Sequence, residues 1–99
     1  MIIGKVVGSI VSTTKAEKLV GKKLLIVTPL DMKTMKEDGK ALVAIDTVGS
    51  GEGEVVLVVS GSSARQTEIT NGVPVDAAIV GIVDQIEIEG ALTFLKGGS

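Results

Sequence analysis

Two short runs constrain this chain more than anything else in it. They are Leu24, Leu25, Ile26 and Val27, and Val55, Val56, Leu57, Val58 and Val59. Neither run is as long as an ordinary helix, and neither has a polar side chain on either alternating face. A strand of this kind needs cover on both sides. In 99 residues there is little chain to supply it. A domain of this size buries only about 60–70% of the surface that its unfolded chain exposes. One face can fill the interior of a small barrel. The other then needs a neighbour, such as a second copy of the chain.

The remaining segments follow the same rule. The chain has 15 Val and 10 Ile against 8 Leu and 7 Ala. β-branched side chains are stiff at χ1 and suit a pleated surface. Residues 2–14 read as a long first strand. In it Ile2, Val6 and Ile10 share the face expected to point inward, with Gly4 and Gly8 between them. Glycines there permit the bending or close approach that barrel closure requires. A loop follows over residues 16–21. The second strand is expected over 22–30, with Pro29 near its exit, the third over 41–48 and the fourth over 54–60. The polar stretch 31–40 between the second and third strands contains the turn signal Asp38–Gly39. Pro74 and Asp76 suit the first turn of a short helix over 74–79, with Gly81 beyond its end. A fifth strand is expected over 82–88, a turn at Glu89–Gly90, and a short last strand over 91–95. The sum is an all-β chain: a small OB-like β-barrel of five to six strands with one short helix before the penultimate strand. It reads as a single domain over residues 1–96 with a flexible tail at 97–99.

Composition narrows the chemistry. The chain has no Cys, which removes thiolate nucleophiles, disulfides and Cys-ligated zinc. It has no His, the commonest general base and transition-metal ligand. Without Trp or Tyr, and with Phe94 as the one Phe, there is no aromatic platform for stacking bases or sugars. Ten Lys and Arg against twelve Asp and Glu give a net charge of −2. Such a balance offers no attraction to a phosphate backbone. No apolar stretch reaches the roughly 20 residues of a membrane span, and no signal-peptide core follows Met1. The chain is expected to be soluble and cytoplasmic, with no cofactor and no metal.

Several motifs suggest chemistry and then fail to carry it. The loop Gly49, Ser50, Gly51, Glu52 and Gly53 is dense in glycine. It lacks the Lys and the following helix of a phosphate loop, and Glu52 and Glu54 stand where a phosphate would lie. It reads as a tight inter-strand loop whose small residues would let several copies converge around a symmetry axis. Met32–Lys33 and Met35–Lys36 invite comparison with the modified lysine of biotin carriers. They lie in a longer charged loop without that hairpin's flanks, so the segment reads as solvated. Arg65 is the only Arg, and a guanidinium is favoured where a fixed fork must grip a carboxylate. Asp46, Asp76 and Asp84 are candidate partners, within one subunit or between two. A Ser62 or Ser63 nucleophile would have only Lys as base, so catalysis is not expected. The remaining alternative is a small OB-like ligand- or oligonucleotide-binding domain, which the missing aromatic and basic groove disfavours.

Taken in order, the segments resemble one family. The matching stretches are residues 8–13, 23–27, 44–58, 61–66 and 74–84. They include Ala44, Ile45, Asp46, Thr47, Val48, Gly49, Ser50, Gly51, Glu52, Gly53 and Glu54, followed by Gly61, Ser62, Ser63, Ala64 and Arg65. The chain resembles the EutN/CcmL family of bacterial microcompartment vertex proteins over residues 1–90. The resemblance implies a β-barrel protomer, a homopentamer, and a place at the five-fold vertices of a polyhedral shell, beside hexameric and pseudohexameric facet proteins. Such a shell encloses enzymes and limits loss of a volatile or toxic intermediate, or of carbon dioxide in carboxysomes. The implied role is structural, without catalysis, nucleic acid or membrane. On this reading Gly49, Ser50 and Gly51 lie nearest the five-fold axis. Asp46, Arg65, Asp76 and Ala77 belong to the subunit interface, and the loop 31–40 faces outward.

Overall fold

The computed structural model describes residues 1–13, 20–61 and 77–98. Seven strands occupy them: β1 Ile2–Ile10, β2 Leu24–Pro29, β3 Leu42–Asp46, β4 Val55–Ser60, β5 Ala77–Ile82, β6 Gln85–Ile88 and β7 Ala91–Leu95. The first five close into a barrel in the order β1-β2-β3-β5-β4, and β6 and β7 form a separate two-stranded sheet. All barrel neighbours are antiparallel except β3 and β5, which pair in parallel at Ile45↔Ala78 and Asp46↔Ile79.

The interior is filled by one alternate set of side chains. Val6, Leu25, Val27, Ala44, Val56, Val58, Ala77 and Ile79 form the central cluster. The other set packs on the outside in two places. Ile45, Val59 and Ala78 cluster with Leu24 and Val80. Ile3, Val55 and Val83 cluster with Leu30, Met35, Leu57, Ile86 and Phe94. The doubly apolar β4 is therefore covered on both faces by its own chain. Its inner Val56 and Val58 meet the barrel core, and its outer Val55 and Leu57 meet the β6–β7 hairpin.

β1 pairs with both β2 and β4, and Gly4 sits where it does so, opposite Pro29 on one side and Val56 on the other. A Cβ at Gly4 would lie 3.0 Å from the Thr28 carbonyl oxygen and would collide with the Val27 side chain. Only glycine permits that approach. The inward face expected for β1 holds at Gly4 and Val6 and is lost beyond them. The β1–β2 register shifts between Val6 and Gly8, so Gly8 and Ile10 stand opposite Ile26 and Leu24 of the outer face. The extra residue of a bulge, here Val7, reverses the alternation of everything after it. Ile2, expected inward, is exposed at the barrel's end, whereas Ile3 is buried.

The expected helix over 74–79 is corrected. Residues 74–76 lie outside the described residues, but Ala77, Ala78 and Ile79 begin β5. Among the described residues there is no α-helix. The Pro and Asp start signals are overridden by the run Ala77–Val83, whose alternate side chains fill both the barrel interior and the outer cluster. The strand expected over 82–88 is consequently divided. Ile82 ends β5 and Gln85 begins β6. The Glu89–Gly90 turn is as expected, with φ of 52° and 83°. Two central residues with positive φ make the tight hairpin turn whose twist matches its strands.

Candidate functional site

The glycine-rich loop between β3 and β4 is organised by two carboxylates, one at each end. Asp46, the last residue of β3, turns its side chain back over the loop. Its Oδ1 accepts from the Val48 amide at 3.2 Å, the Ser50 amide at 3.2 Å and the Ser50 hydroxyl at 2.9 Å. This is the local bonding that makes Asp a turn residue. Glu54, just before β4, closes the other end. Its Oε1 accepts from the Gly51 amide at 2.8 Å, and its own amide donates to the Gly51 carbonyl at 3.1 Å. Gly49 and Gly53 have φ of 76° and 90°, a backbone region open to glycine and strained for most other residues.

Neighbouring strands fix this loop to the barrel. Lys23, just before β2, donates from Nζ to the Ser50 carbonyl at 2.8 Å, and its Nζ lies 4.0 Å from Asp46 Oδ2. Thr47 donates from its hydroxyl to the Ile79 carbonyl of β5 at 2.6 Å. The Gly53 amide donates to the Val6 carbonyl of β1 at 2.8 Å. At the far side, Lys96 Nζ meets Glu54 Oε2 at 2.9 Å. The Lys96 ammonium, then the Gly51 amide, hold the Glu54 carboxyl below its ordinary range, and Glu54 in turn raises Lys96.

The residues expected at this site fall into different positions. Gly49 is exposed, Gly51 is half-buried and Ser50 is fully buried between them, while Glu52 and Gly53 are exposed beyond. The Asp46 side chain is 2% exposed and bonded within its own loop. The Ala77 methyl faces the barrel interior. Arg65 and Asp76 lie outside the described residues, as do Ser62 and Ser63. Asp84, the third candidate partner for Arg65, is exposed, and its carbonyl accepts from the Lys96 amide at 2.8 Å. Lys23 and Lys96 were not singled out from sequence. Each lies more than 25 residues from the loop it holds, and a charge at that separation gives no local signal.

The polar loop 31–40 is mostly exposed, as expected, but it is not slack. Asp31 Oδ1 accepts from the Lys33 and Thr34 amides at 2.8 and 2.9 Å, which holds its carboxyl below the ordinary range. Met35, at φ 59°, packs against the cluster under the hairpin. The Thr93 hydroxyl of β7 donates to the Met32 carbonyl at 2.7 Å.

On the barrel's outer surface, Ile26 of β2 stands opposite Val43 of β3. Val43 is 46% exposed, and Val7 at the bulge is exposed as well. Of the two doubly apolar strands, β2 is the one whose outer face is only partly covered by the described residues.

Comparison with known proteins adds to this geometry. The model of the family described as Ethanolamine utilisation protein EutN/carboxysome matches residues 1–84. The chain is 52% identical over 87 residues to the bacterial microcompartment shell vertex protein GrpN of Rhodospirillum rubrum (strain F11), across 88% of this chain and 97% of GrpN. Its structure is similar to that of Gloeobacter violaceus CcmL, with a TM-score of 0.91 at 36% identity over 99% of this chain and 100% of that one. It is also similar to the GrpN pentameric microcompartment shell protein from Rhodospirillum rubrum, with a TM-score of 0.76 at 50% identity over 89% of this chain and 98% of that one.

Proposed function

The chain belongs to the EutN/CcmL family, and from that premise we propose that it is a structural shell protein of a bacterial microcompartment in the cytoplasm. Five copies form a cyclic ring that caps a five-fold vertex, beside hexameric and pseudohexameric facet proteins. The chain works by shape and contact, not by catalysis. The observation that carries this reading is the likeness, at 50% identity, to a shell protein described as pentameric. The physical support is the apolar outer surface that the single chain leaves open, with Val43 and Val7 exposed and Ile26 beside Val43 only part-buried. A ring buries such a surface by setting one patch against a different patch of the next copy.

Within the ring, Gly49 and Gly51 stand nearest the axis, and Ser50 supports them from behind. The segments carrying Asp46, Arg65, Asp76 and Ala77 run along the boundary between protomers. Asp46 and Ala77 bear on that boundary through the backbone they position, because their side chains are turned into their own chain. The loop 31–40 is an outer surface.

Native mass spectrometry, with light scattering after size exclusion, tests the reading. A discrete species of five chains is the expected result. A monomer that persists at every concentration overturns the ring, and a hexamer overturns the vertex assignment.

A further inference from the structure

Among the described residues, the three hydrogen bonds that the Asp46 side chain accepts end on one oxygen. Val48 N, Ser50 N and Ser50 Oγ reach Oδ1, while the Lys23 ammonium lies 4.0 Å from Oδ2. That ammonium makes its short contact with the Ser50 carbonyl instead. The Lys23 side chain is 55% exposed, so its charge is largely solvated, whereas the Asp46 side chain is 2% exposed. The geometry requires an acceptor at Oδ1 and makes little use of the carboxylate's charge.

We infer that Asp46 is a positioning residue, which folds the Gly49–Gly51 tip within each single chain before any ring closes. It acts as a hydrogen-bond acceptor and not as half of an ion pair between protomers. The consequence for assembly rests on the pentameric reading. The amides of Val48, Ser50, Gly51, Gly53 and Glu54 all donate to acceptors of their own chain. These five amides therefore need no neighbouring chain to satisfy them. A loop already ordered in the free chain loses little conformational freedom on association, which favours the ring.

The role separates from an ion pair by a conservative substitution. Asp46→Asn keeps an oxygen at Oδ1 and replaces Oδ2 with an NH2 group facing Lys23, whose exposed ammonium can turn into water. Asp46→Ala removes the acceptor. The full chain and both variants are compared by amide hydrogen exchange, at a dilution giving single chains, and by the concentration at which the ring dissociates.

In Asp46→Ala the Val48 and Ser50 amides are expected to exchange about tenfold faster or more, with the β4 core amides unchanged. Its ring is expected to dissociate at about tenfold higher concentration. Asp46→Asn is expected to stay within about threefold of the parent in both measurements. Equal damage in Asn and Ala would overturn the inference, since it would show that the charge matters. Unchanged exchange in Asp46→Ala would also overturn it. If Asp46→Ala does not fold, Ser50→Ala supplies the test. Removing its hydroxyl donor should accelerate exchange at Ser50 by a smaller factor, and no acceleration would count against the inference. A parent chain that never forms a ring, yet shows the expected exchange pattern, would support the positioning role and overturn the pentamer alone.

Discussion

The outer face of β4 lies under the chain's own C-terminal hairpin, whereas among the described residues nothing comparable covers Ile26 of β2 and Val43 of β3, although Leu24 and Ile45 beside them pack with Val59 and Ala78. Val55 and Leu57 on β4 meet Ile86 and Phe94 of the hairpin, with Met35 from the loop 31–40. Ile26 on β2 and its partner Val43 on β3 are left part-buried and exposed respectively. The two strands are alike in composition, both apolar on both faces. Their outer faces differ because a hairpin follows β5 and folds back over β4, and among the described residues no element does the same at Ile26 of β2. The contrast separates two kinds of burial: one is completed in the single chain, and the other, on the ring proposed above, is left for association. Burial within the chain stabilises the protomer at any concentration. Burial between chains depends on mass action.

Stripping the cover from β4 should give the largest effect. Phe94→Ala removes the aromatic ring that packs over Ile3, Val55 and Val83. Truncating a fully buried Phe costs about 3–5 kcal/mol, and this partly buried ring should cost about 2 kcal/mol. Urea unfolding at a dilution giving single chains measures it. A change below a few tenths would mean that the hairpin does not stabilise the barrel. Charging the bare face should do the reverse. Val43→Lys places a cation on an already exposed site, so the single chain should change by less than about 0.5 kcal/mol. Each contact between protomers should weaken by about 1–2 kcal/mol, roughly fivefold to thirtyfold in its equilibrium constant. An unaffected ring would move the protomer boundary away from β2 and β3.

Legibility in the sequence followed the range of the cause. The first four strands, the last strand and the Glu89–Gly90 turn are local, and alternation with turn chemistry located them, whereas the inward set expected for β1 held at Val6 and failed at Ile2 and Ile10. The doubly apolar β4 correctly announced cover on two faces, but not that residues 85–95 would provide one of them. Val7 could not be recognised as a bulge, because its neighbours alternate without a break until β2 sets the register. Pro74 and Asp76 are sound helix-start signals, yet Ala77–Ile82 became a strand because the barrel needed a fifth stave between β3 and β4. At the candidate site, Asp46 and the glycines were visible as a motif. Asp46's single working oxygen, and Lys23 as the clamp on Ser50, depend on side-chain direction and strand pairing, which no spacing encodes.

The smallest effect concerns how the hairpin's end is fastened. Lys96 joins it to the glycine-rich loop through Glu54, and the Lys96 amide is held separately by the Asp84 carbonyl. The Glu54 carboxyl titrates lower when folded than its ordinary value of 4.5, chiefly because of Lys96 and then the Gly51 amide. The unfolded chain therefore takes up this proton first as pH falls. The stabilisation is complete above the ordinary glutamate value and disappears as pH falls through the lower folded value. Lys96, raised when folded, loses its contribution only as pH rises above its ordinary 10.5. Both groups face solvent, so the effect should be modest and should shrink with added salt. Lys96→Met removes the main cause. It should flatten the stability profile below pH 4.5 by lowering the neutral-pH melting temperature slightly, by the same small amount that the parent chain loses on acidification. An equally steep acid limb in Lys96→Met would assign the titration to another carboxylate, such as Asp31, which its hydrogen bonds also lower. A large loss at neutral pH would instead make the ion pair, and not the apolar contact of Phe94, the main tie between hairpin and barrel.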